Sequence, residues 1–151
     1  MRRGFTLIEV LVVIAILVVL SGVVIVFVRE YMRGQALSSS ITSISAMLSD
    51  ARTRTLSGKG GVQYGVHFGE DSAVLFLGST YIDGAEGNEI TNLYSRVTIK
   101  NVDLFGGGRD VVFDKLTGNV ANHGTVTLEL ISDSSRQKTI TIQKTGLVSY
   151  E

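Results

Sequence analysis

The sequence has no cysteine, no proline and no tryptophan. Without cysteine there is neither a disulfide framework nor a thiolate zinc site, and the redox compartment cannot be read from cysteine usage. Any exported part must therefore hold together by packing alone. Without proline, nothing in the covalent chain forbids one long uninterrupted helix. An excess of either charge is missing too: 14 Lys and Arg stand against 14 Asp and Glu, so no global field marks nucleic acid or an acidic substrate as a partner. Histidine is limited to His67 and His123. They are isolated, with no nucleophile–base–acid spacing around them, and we read the chain as no enzyme and as needing no cofactor.

What is present is an apolar surplus. The 151 residues are 44% hydrophobic, room for one ordinary domain plus something unusually apolar. That surplus sits at the N-terminus. From Phe5 to Val28 only Thr6, Glu9, Ser21 and Gly22 interrupt Phe, Leu, Ile, Val and Ala; as a helix the run would extend about 36 Å, enough to cross a hydrocarbon core with some tilt. Arg2 and Arg3 precede it and Arg29 and Arg33 follow it, so charge bias leans only through the α-amine and Glu30 toward a cytoplasmic N-terminus. A cleaved secretory signal fits poorly, because the run continues well beyond Ser21-Gly22; a twin-arginine signal fits poorly, because the basic region is minimal. Glu9 is the anomaly. A carboxylate in a spanning helix marks either a functional site with a partner or a side chain reaching the headgroups beside the positive helix terminus.

The stretch Gly4-Phe5-Thr6-Leu7-Ile8-Glu9 and the apolar residues behind it resemble the N-terminus of type IV pilins and of the pseudopilins of type II secretion. The resemblance implies a leader of residues 1–4 removed by a prepilin peptidase after Gly4, and N-methylation of the new N-terminal residue, Phe5. It implies that Glu9 guides assembly into a filament. Physically, cleavage would delete Arg2 and Arg3 and create an amine at Phe5 for Glu9 to pair with, on its own chain or on the next. The implied partners are other pilin or pseudopilin subunits, the peptidase and an inner-membrane assembly platform. The implied location is the inner membrane, N-terminus cytoplasmic and remainder periplasmic, before entry into a pilus or pseudopilus. Major pilins usually break this helix with a proline; here Ser21-Gly22 stands nearby, which permits local loosening without requiring it.

Beyond Gly34, residues Leu37, Ile41, Ile44, Leu48, Ala51 and Thr55 recur at alternating spacings of four and three, the stripe of an amphipathic helix that Gly58, Gly60 and Gly61 terminate. From Val62 the period becomes two. Val62, Tyr64, Val66 and Phe68, the run from Ala73 to Leu77, Val97 with Ile99, Val111 to Phe113, Val126 with Leu128 and Leu130, Ile140 with Ile142, and Leu147 to Tyr150 read as six to eight short antiparallel strands between glycine-rich turns. Their apolar face needs the helical stripe as a lid, so the fold class is α+β: a long N-terminal helix, half membrane-spanning and half amphipathic, packed on an antiparallel sheet. The expected organisation is leader 1–4, transmembrane helix 5–33, amphipathic helix 34–57 and β-rich exported head 58–151.

The head resembles the GspH/FimT group of minor pseudopilins through ARTRTLSGKGGVQYGVHF after the helix, VVFDKLTGNV with Phe113 and Gly118, and ITIQKTGLVSY with Gly146. It implies a low-copy structural subunit. Some members of that group bind DNA through arginines after the last glycine, which this chain lacks; Arg136, Lys138 and Lys144 are the remaining basic candidates, and DNA is not favoured. Asp83, Glu86 and Glu89 are weak calcium candidates in an acidic, glycine-rich turn that needs no metal to explain it. A single-pass anchored binding protein that never assembles is the further alternative.

Overall fold

The computed structural model describes residues 6–58 and 61–151, with the side chains of 23–27, 29, 30 and 33 outside that description. One helix, α1 (Leu7–Leu56), is followed by β1 (Tyr64–Phe68), β2 (Ser72–Leu77), β3 (Glu89–Asn92), β4 (Val97–Leu104), β5 (Asp110–Val112), β6 (Gly124–Leu130), β7 (Asp133–Ile142) and β8 (Val148–Tyr150). The chain divides into two compact units, Met1–Gln35 and Ala36–Glu151.

In the first unit the large hydrophobic side chains from Leu7 to Leu20 lie open, Leu7 at 82% exposure. The helix passes unbroken through Ser21-Gly22, where the Ser21 hydroxyl donates to the Leu17 carbonyl at 2.7 Å. That back-bond satisfies the hydroxyl within the helix itself. Among the described residues no helix is long and apolar enough to cross a membrane; the part of the apolar run whose side chains are described, 6–22, falls short of the ~20 residues a span requires.

In the second unit the predicted stripe is the buried one: Leu37, Ile41, Ile44, Leu48, Ala51 and Thr55 are all buried, and Met47 joins them. Thr55 is polar yet fits, because its hydroxyl donates to the Ala51 carbonyl at 2.8 Å and accepts the Tyr64 amide at 2.9 Å. The stripe thus ends by bonding the helix to the first strand. Against it pack the inward residues of the strands, among them Val66, Phe68, Leu75, Val111, Val126, Leu128, Ile140 and Ile142, in one continuous core.

The strands form two four-stranded antiparallel sheets, β3-β2-β1-β5 and β4-β6-β7-β8, rather than the one sheet expected. The division follows from β5, which returns to pair with β1 (Val66 opposite Val111) while β4 pairs with β6 (Ile99 opposite Leu128). Isolated bonds link the sheets where ladders do not: the Glu70 carbonyl accepts the Ile99 amide at 2.8 Å. Strand β3 was not foreseen. Its four residues, Glu-Ile-Thr-Asn, are mostly exposed, so no alternating apolar pattern announces it.

The three head segments singled out in the sequence converge on Arg52. Its Nε donates to the Gly118 carbonyl at 3.3 Å and its Nη2 to the Thr145 carbonyl at 3.4 Å. Gly118 and Gly146 are buried, at φ +65° and +75°. A Cβ on Gly146 would stand 2.0 Å from the Gly118 oxygen and 2.9 Å from Arg52 Nε, so only glycine lets the two turns and the arginine meet.

Candidate functional sites

The first candidate site is the start of α1. Thr6 immediately precedes the helix, and Glu9 Oε2 accepts from the Thr6 amide at 2.8 Å and from its hydroxyl at 2.9 Å. In return the Glu9 amide points at the Thr6 hydroxyl oxygen at 3.4 Å. This is a capping box: a carboxylate satisfies donors that the first turn leaves open, at the end of the helix where the dipole favours negative charge. Glu9 therefore has a partner within its own chain. The signature of the box in the sequence is Thr-x-x-Glu, Thr6 to Glu9. Thr6 lies beyond the expected cut, so the same box would survive processing. Gly4 and Phe5 lie outside the described residues.

The calcium candidates are not brought together. Glu89 opens β3, and that strand carries it to the helix, where both its oxygens accept from Arg54, Oε2 at 3.1 Å. Arg54 also pairs with Asp50 at 2.6 Å. Asp83 instead accepts the Tyr81 hydroxyl at 2.9 Å, a bond that holds the Tyr81 phenol above its ordinary pKa. Glu86 is exposed. Among the described residues no group of three or more His, Asp or Glu side chains is arranged to hold a metal ion. Closeness in sequence did not survive because a strand begins between Glu86 and the helix contact.

The basic candidates are likewise dispersed. Arg136 lies 3.6 Å from Asp133, and Lys138 stands opposite Leu128 in the β6–β7 ladder. Lys144 follows the end of β7 and lines an open groove of about 590 Å³ together with Asp110 and Asp114. Carboxylates thus neighbour two of the three cations, which breaks up a continuous phosphate track.

Both histidines have structural partners. His67 Nδ1 lies 2.6 Å from Asp110 Oδ1, and its ring stacks on Tyr81 with centroids 4.0 Å apart. His123 Nδ1 meets the Ala121 carbonyl at 3.1 Å and its ring lies 5.3 Å from that of Phe105. The His67–Asp110 pair was invisible in the sequence, since 43 positions separate its members. It forms because β5 pairs with β1 and sets the two residues side by side.

Residues 1–25 match the family model of the prokaryotic N-terminal methylation motif. No curated protein matches the chain. Among solved structures, the type IV minor pilin FimU of Pseudomonas aeruginosa is similar in fold in two crystal forms. One shows 15% identity and a TM-score of 0.57, covering 76% of this chain and 92% of that one. The other shows 15% identity and a TM-score of 0.58, covering 76% and 87%. The chain thus carries the prokaryotic N-terminal methylation motif and has the pilin-like α+β fold of a type IV minor pilin.

Proposed function

We propose that this protein is a minor structural subunit of a type IV pilus or a type II secretion pseudopilus. In this reading a prepilin peptidase cuts after Gly4, Phe5 is N-methylated, and the apolar run anchors the precursor in the inner membrane with the head in the periplasm. The helix then leaves the membrane for the filament through an assembly platform, with Glu9 guiding its packing against neighbouring subunits. The observation that carries the reading is the methylation motif over residues 1–25. A structural role also suits a head in which His67 faces Asp110, Glu89 is spent on Arg54 and Asp83 on Tyr81.

Glu9 would have two successive partners. Before processing, Thr6 satisfies its carboxylate within the chain; after processing, the Phe5 amine of the same or a neighbouring chain competes for it. An amine that carries its own positive charge attracts the carboxylate more strongly in a low-dielectric surrounding than the uncharged Thr6 amide and hydroxyl donors do. The exchange would favour chains that have been cut.

Intact-mass spectrometry of the protein from cells with an active prepilin peptidase tests the reading. The expected chain begins at a methylated Phe5. A chain that still begins at Met1 overturns it.

A further inference from the structure

Strand β5 is the last of its sheet, with β1 on one side only. Which of its backbone groups that pairing uses follows from the register. The Arg109 carbonyl accepts the Phe68 amide at 2.9 Å, the Phe113 amide donates to the Tyr64 carbonyl at 3.1 Å, and Val111 stands opposite Val66 between them. Bonded and non-bonded pairs alternate along an antiparallel ladder, so Arg109, Val111 and Phe113 turn toward β1 while the amides and carbonyls of Asp110 and Val112 turn away from it. On that far side the chain folds back only briefly. The Asn119 carbonyl accepts the Asp114 amide at 2.9 Å and Val120 forms a single bridge with Phe113; Val120 then gives its amide to the Lys144 carbonyl, just beyond β7 of the other sheet, at 2.9 Å. The groove of about 590 Å³ opens there, with Asp110 and Val112 on one bank and Ala121 and Asn122 on the other. Among the described residues, no backbone hydrogen bond crosses it from Asp110 or from the Val112 amide.

A strand edge with open N–H and C=O groups is a template for one more strand. The rest of the lining agrees with a polypeptide guest. Gln63, Ser79, Thr80 and Asn122 supply uncharged amides and hydroxyls, and the one aromatic ring among the described lining residues, Phe113, is fully buried; a nucleobase would need an exposed ring to stack on. Charge does not dominate, because both carboxylates are partly engaged: Asp110 Oδ1 faces His67 Nδ1 at 2.6 Å, and Asp114 Oδ1 accepts the Leu116 amide at 3.3 Å. We infer that this edge is completed by a short extended segment of another protein, which adds to β5 as a further strand. Its backbone bonds Asp110 and the Val112 amide, and its groove-facing side chains are small or uncharged. Recognition through the main chain supplies the affinity, and the pockets for alternate side chains set which sequences fit. The inference rests on the head alone and is independent of N-terminal processing.

Peptide selection on the immobilised full chain in detergent tests it, with a random heptapeptide phage library as the probe. The expected peptides protect the Asp110 and Val112 amides from hydrogen exchange when they bind. N-methylating every second residue of such a peptide should weaken binding about tenfold in one phase, where the methyls replace the N–H groups that face β5, and little in the other. Val112→Pro should weaken binding to a similar degree. Proline is tolerated on an edge strand where the N–H faces away from the ladder, and that N–H is the one the guest needs. The methylated peptides leave the protein untouched, so a folding defect in the proline variant leaves the test decisive. No enriched peptide, retention of oligosaccharides on a glycan array in place of peptides, protection only at other amides, or equal loss from both methylation phases would each overturn the inference.

Discussion

Replacing Gly146 by alanine should be among the most damaging single methyl additions in the head. Two costs combine. Holding a non-glycine residue at φ +75° costs about 1–2 kcal/mol. The added Cβ would also stand 2.0 Å from the Gly118 carbonyl oxygen, a separation no packing tolerates, so the turns must part and the two Arg52 hydrogen bonds must lengthen or break. Losing those two partly exposed bonds costs about 1–2 kcal/mol together. The total, about 3 kcal/mol, lies among the larger effects single substitutions produce. Gly106→Ala supplies the control: its φ is +84°, yet nothing lies within 4 Å of the added Cβ, so only the backbone term applies. Urea denaturation of the full chain in detergent, followed by near-ultraviolet circular dichroism of the tyrosines, measures both. If Gly146→Ala costs no more than Gly106→Ala, the close approach of the two turns is not what makes glycine necessary there.

Two further outcomes follow from the sites. Thr6→Val and Glu9→Ala should each remove the capping box and loosen the first helical turn, seen as faster amide exchange at Glu9 or its successor; only Glu9→Ala should reduce co-assembly with other subunits, and equal incorporation of that variant would show that the carboxylate does not guide assembly. The Tyr81 phenol, raised by its bond to Asp83, should ionise above its unfolded value. A group whose folded pKa is raised contributes stability below the unfolded pKa, about 10 for tyrosine, and loses that contribution as pH rises through the folded value. Difference absorbance titration against Tyr81→Phe should therefore isolate one late-ionising phenol, and an ordinary titration for that residue would sink the assignment.

The helix and most of the strands could be read from the chain because their signals are local. The stripe from Leu37 to Thr55 repeats every three or four residues, and each of its members is buried. The capping box is equally local, three residues from Thr6 to Glu9. Burial in a helix or an alternating strand depends on spacing along the chain, and spacing is what a sequence states.

Tertiary structure decided the rest. That the strands make two sheets, that His67 meets Asp110, that Glu89 turns to Arg54 and away from Asp83, and that Gly118 and Gly146 close on Arg52 all depend on pairings between distant segments. Arg52 and Gly146 were each legible as parts of a loose motif; their contact was not. Such contacts are set by which strand returns to which edge, a choice made by the whole core at once. The N-terminal helix was dictated by local composition, whereas the meeting of Arg52 with the turns at Gly118 and Gly146 was decided only when distant segments of the head came together.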